Sequence, residues 1–97
     1  MTTITVLRDE YPGDVAWHRF VDFHRPKWQN RKDKHIYISA LGGEDFAIVL
    51  ATTMGQLSLK WFDENIGALD GRSASDVLQN EPAGRTIIKT LLMRMPG

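Results

Sequence analysis

Apolar residues fall into short runs separated by polar stretches that carry glycine or proline, and the spacing within each run predicts its element. The clearest run is the last. Ile87, Ile88, Leu91, Leu92 and Met95 follow one stripe at helical spacing, with Arg85, Lys89 and Arg94 off it. This predicts an amphipathic final helix with Pro82 in its first turn, where a missing N–H costs nothing. Ser73, with Asp76 three residues on, reads as the N-cap of a helix through Gln79. Gln56 to Phe62 reads as a short helix. Asn65 to Arg72, with two glycines, reads as a loop.

The first half patterns differently. Thr3 to Leu7 (TITVL) is rich in β-branched residues and predicts a short strand. Tyr11-Pro12-Gly13-Asp14 predicts a turn with Asp14 as N-cap. Val15 to His24 predicts a helix of about three turns. Arg25-Pro26 should end it, because the residue before proline is pushed out of the α region. Pro26 to Lys34 then reads as a polar, basic loop. Residues 35–52 allow two readings. IYISAL and FAIVLAT around GGED predict a β-hairpin; a helix over Glu44 to Met54 would put Phe46, Val49, Leu50 and Met54 on one face. The predicted class is α+β, mostly helical: a small C-terminal helical bundle, residues 55–97, with an N-terminal extension, residues 1–54, holding a strand and a hairpin. The extension shows no helix-turn-helix. A seam falls near Thr53 to Gly55, and the two sections are expected to form one compact unit.

The 97 residues suffice for one domain. Twelve basic residues against twelve acidic ones leave no net charge, which excludes nucleic-acid binding by bulk charge. The absence of cysteine excludes disulfides, thiolate catalysis and Cys-ligated zinc. No apolar run approaches the roughly 18 residues of a membrane span. The N-terminal MTTITVLRDE lacks a signal-peptide pattern. A cytoplasmic protein is expected.

From Gly55 onward the chain reads GQLSLKWFDENIGALDGRSASDVLQNEPAGRTIIKTLLMRMPG. A small residue stands three before a Trp and an apolar residue. Then come a short loop, Leu-x-Gly-Arg, a capped helix ending in Leu, and a Gly opening the last helix, which ends apolar-x-Arg near a Gly. The positions are Ser58, Trp61, Phe62, Leu69, Gly71, Arg72, Leu78, Gly84, Leu92, Arg94 and Gly97. This pattern resembles the toxin-binding domain of the Xre/MbcA/ParS antitoxin family. Ala74 stands where that family usually has proline, Ser75 where an apolar residue is common, and Phe62 in place of the more usual Leu.

The resemblance implies an antitoxin of a bacterial type II toxin–antitoxin system that binds a RES-domain toxin and occludes its NAD site. Separately, five large apolar residues on the last helix are hard to cover in a chain of this size, which points to a homodimer or a hetero-oligomer with the toxin. By carry-over, the Arg94-Met95-Pro96-Gly97 end lies near the NAD pocket, with Arg94 pairing an acidic or phosphate-binding position there. Trp61, Arg72, Ile88, Leu91 and Leu92 are the further candidate partner contacts, each with a structural role as the alternative.

Two other partner classes remain open. Arg25, Lys27, Arg31, Lys32 and Lys34 against Asp33 give a local charge of +4, with Trp28 among them. Cations interleaved with an aromatic suit a solvated loop first, and also a nucleic-acid backbone with base stacking or an acidic protein. A DNA-binding transcriptional regulator is therefore one alternative, and an interaction module with a phage or host partner is the other. His18, His24 and His35 match no metal spacing, although His18 and Asp22 would face each other on a helix. No serine sits in a nucleophile elbow, and no phosphate-binding glycine loop is present. No catalytic residue, metal or cofactor is expected, and no membrane partner.

Overall fold

The computed structural model describes residues 3–95, and among them every regular element is helical. The helices are α1 (Thr3–Asp9), α2 (Asp14–Gln29), α3 (Lys34–Ala40), α4 (Glu44–Met54), α5 (Leu57–Trp61), α6 (Ala74–Asn80) and α7 (Gly84–Arg94), with a 3₁₀ turn at Gly67–Leu69. Among the described residues, extended backbone pairs only in an isolated bridge between Ile66 and Arg72. The α+β expectation is thus corrected to an all-helical fold. Neither the strand at Thr3 to Leu7 nor the hairpin over residues 35–52 forms.

Packing explains both corrections. In α4, Phe46, Ala47, Ile48, Val49, Leu50 and Ala51 are all buried. The helix is enclosed by α2, α3 and α5. A helix covered on every side has no polar stripe, so its text resembles a buried strand. Glu44 and Asp45 in its first turn favour the positive end of the helix dipole. In IYISAL the residues that matter are Tyr37 and Leu41, four apart and almost fully buried. The β-rich TITVL becomes α1 because Leu7 packs into the core. The Asp70 carboxylate also accepts the Thr3 and Ile4 N–H groups at 3.2 and 3.3 Å, capping the helix from 66 residues away.

Helix α2 runs through Pro26 to Gln29 instead of stopping there. Proline removes one backbone donor, but Trp17, Val21 and Trp28 are buried along one side, and burial of Trp28 in the last turn offsets the loss. Gly13 precedes the helix. Asp14 is its first residue and accepts the Tyr11 hydroxyl at 2.6 Å without capping it.

The second half follows its pattern closely. Ser73 Oγ accepts the Asp76 N–H at 3.0 Å and caps α6. Ser73→Ala should cost about 1 kcal/mol, read as a lowered denaturation midpoint. Pro82 stands in the turn just before α7. Ile87, Ile88, Leu91 and Leu92 are buried along α7, which packs on α1, α2 and α6. Both halves therefore share one core, without a break at residues 53–55. Gly84 brings α7 hard against α6: a Cβ there would lie 2.4 Å from the Val77 carbonyl oxygen and 2.9 Å from the Leu78 Cα. No single described helix is long and apolar enough to cross a membrane.

Candidate partner-binding surface

Three helices leave a groove of about 400 Å³ between them. Phe20, Phe23, His24 and Lys27 line it from α2, Val49, Leu50 and Thr52 to Met54 from α4, and Leu92 with Met95 from the end of α7. His24 is held in place. Its Nδ1 lies 2.9 Å from the Phe20 carbonyl oxygen, and its ring meets Phe20 and Phe23 edge-on at 4.8 and 5.3 Å. Phe23 is 82% exposed, the most exposed large apolar residue among those described. The sequence reading missed this surface. An exposed Phe in an irregular apolar face was the only available signal, and the groove needs three helices that are distant in the chain.

The residues expected to meet a partner divide sharply. Ile88, Leu91 and Leu92 are buried at 0%, 7% and 3% exposure, so they belong to the core, with Leu92 also reaching the groove floor. Trp61 is half-buried and packs on the core. Arg72 is committed inside the chain. Its Nε donates to Asp76 at 2.7 Å and a terminal nitrogen donates to Glu81, joining the 3₁₀ loop to both ends of α6. Hydrogen bonds from Arg72 and Asn80 hold the Asp76 carboxyl below its usual range. Arg94 is exposed and donates to Glu10 at 2.8 Å. Met95 is half-buried at the groove edge. Pro96 and Gly97 lie outside the described residues.

The basic segment does not present a stacking platform. Trp28 is 3% exposed and belongs to the core. Lys34 lies 5.8 Å over its ring. Arg31 is tied to Asp33 at 3.1 Å and to the Tyr37 hydroxyl, and Arg25 to Asp22 at 3.1 Å. Asp22 thus takes Arg25, not His18. Among the described residues, Lys27, Lys32 and Lys34 have no ion pair, and of these Lys34 meets only the Trp28 ring. Helices α3 and α4 do meet at 114° about a three-residue glycine turn, a helix-turn-helix geometry. A reading helix must be exposed to enter a groove of DNA, whereas α4 is buried.

A polar network lies at the other end of α4. Arg85 donates to both Asp45 oxygens at 2.9 and 2.8 Å and to the Gly42 carbonyl at 2.8 Å, and it lies 4.4 Å over the Phe46 ring. The Trp17 indole N–H donates to Asp45 at 3.0 Å. Burial pushes the Asp45 carboxyl up, but the bonds from Arg85 and Trp17 outweigh it and hold it below its usual range. Every member is satisfied within the chain, which marks the network as a clamp between α2, α4 and α7. No group of three or more His, Cys, Asp or Glu residues able to hold a metal occurs among the described residues. No family model matches the chain, and no curated protein or solved structure matches it.

Proposed function

We propose that this chain is an antitoxin that binds a RES-domain toxin and blocks access to its NAD site, acting by occlusion without a cofactor. The observation that supports this reading is the frame around α6 and α7. Leu69 is fully buried, Gly71 has φ +81° directly after left-handed Asp70, Arg72 braces α6, Ser73 caps it, and Gly84 allows α7 to press on it. The spacing that resembles the antitoxin domain is thus the spacing of one braced unit. That unit delivers exposed Arg94 at the end of α7, where a charge-assisted hydrogen bond to a toxin would replace the one to Glu10.

The test is rescue of cells expressing a RES-domain toxin. Wild-type chain should restore growth and NAD content. Removal of residues 94–97, and separately Arg94→Ala, should weaken rescue. Melting of the Arg94→Ala protein should change little, because an exposed ion pair is worth about 0–1 kcal/mol. Full rescue by both variants would sink the placement of the contact, and no rescue by the wild type would sink the reading itself.

An interaction module with a phage or host partner is the second reading, and the apolar groove supports it equally. The DNA-binding regulator has less behind it, since Trp28 is in the core and α4 is enclosed. A steep fall of DNA affinity with salt would be its signature.

A further inference from the structure

The frame above lies in the second half of the chain, but the groove is built largely by the first half. Its chemistry is one-sided. Among the described residues, Lys27 is the only formally charged one lining it, and none of them brings a carboxylate to it. Phe23 stands at its rim between Arg19 and Lys27, four residues away on either side and therefore on the same face of α2. All three are exposed, and neither cation has a hydrogen bond or an ion pair among the described residues. The nearby Asp22 carboxylate is taken by Arg25. An apolar slot beside an uncompensated cationic ridge complements an apolar face edged with acids.

We infer that the groove between α2, the end of α4 and the end of α7 docks an acidic amphipathic helix of a partner protein. Its apolar residues sit in the slot against Phe23, and its carboxylates reach Arg19 and Lys27. The slot runs between three helices, and an amphipathic helix fills such a space with anchors one turn apart. A flat anionic bilayer would leave the recessed Val49 and Leu50 unfilled. A second copy related by a two-fold axis would bring the same cations face to face.

The inference rests on the partner-binding reading only in requiring a protein partner, and its experiment separates the two. The full chain is tagged in its native host, and the captured complex is treated with a carbodiimide, which joins a Lys amine directly to a carboxylate. Cross-links from Lys27 should map to Asp or Glu residues of one amphipathic helix of the captured protein. Phe23→Ser, and separately the pair Arg19→Glu with Lys27→Glu, should lower recovery of that protein at least tenfold at unchanged melting temperature. These positions are exposed, so the fold should tolerate the changes.

Unchanged recovery with both variants, cross-links confined to other surfaces, or no captured protein overturns the inference. So does wild-type sedimentation with phosphatidylglycerol vesicles that Phe23→Ser abolishes, which assigns the groove to lipid. A dimer of the isolated chain that Phe23→Ser dissociates assigns it to a second copy. A RES-domain protein captured with no effect of the groove variants leaves the antitoxin reading standing without the groove. A different protein captured through the groove does the reverse.

Discussion

Gly84→Ala should destabilise the protein by about 1–3 kcal/mol, although alanine is the better helix former by about 1 kcal/mol. Gly84 is in the first turn of α7, and the added Cβ would sit 2.4 Å from the Val77 carbonyl oxygen. The obstacle is backbone, so no rotamer change can relieve it. Helices α6 and α7 must separate or tilt, and the apolar contacts of Val77 and Ile87 loosen with them. For a domain of this size each kcal/mol corresponds to about 4–8 °C in melting temperature. Gly67→Ala is the matched control, because nothing lies within 4 Å of its would-be Cβ. It should stay within about 0.5 kcal/mol of wild type. Equal melting of Gly84→Ala and wild type would show that the two helices do not approach so closely.

Asp45→Ala should cost about 2 kcal/mol, chiefly through what it leaves behind. Trp17 is 1% exposed, and its indole N–H would lose its acceptor, a loss of about 1–3 kcal/mol. Arg85 would lose a two-pronged partner but, being about half exposed, can turn to water. The pH dependence has a definite sign. The folded state holds Asp45 below its usual range, so it binds this proton less readily than the unfolded chain. The contribution is complete above the ordinary carboxylate value of about 4 and fades as pH falls through the folded value. Chemical denaturation at a series of pH values should show wild type losing stability on the acid side more steeply than Asp45→Ala. Parallel acid limbs would mean that Asp45 is not clamped.

What the sequence made legible follows from where each residue ends up. The α7 stripe was readable because one side is buried and Arg85 and Arg94 are on the other. The α6 cap was readable because Ser73 and Asp76 act locally. The first half was not, for three separate reasons. Helix α4 lost its periodicity by being covered all round. Helix α1 has β-branched residues whose local preference is overruled by Leu7 in the core and by an Asp70 cap far along the chain. Helix α2 passes a proline because Trp28 beyond it is buried. Among the candidate contacts, apolar periodicity selected Ile88, Leu91 and Leu92, but periodicity marks burial and does not distinguish a core from an interface. The groove was invisible because it belongs to no single segment.

The docking of α1 gives the molecule an uneven resistance to opening. Its only buried residue is Leu7, and it is fastened at one end by Asp70 and at the other by Glu10, just beyond the helix, gripping Arg94. Helix α4, by contrast, buries Phe46 to Ala51 in succession, so the amides of that stretch should exchange only through wider opening. Sub-global opening is therefore expected to start with α1, read as faster amide exchange there than in α4. When it lifts, Arg94 loses its counter-ion and one flank of α7 meets water in the same event. On that expectation, the first state to open is also the one in which the end of α7 is most available.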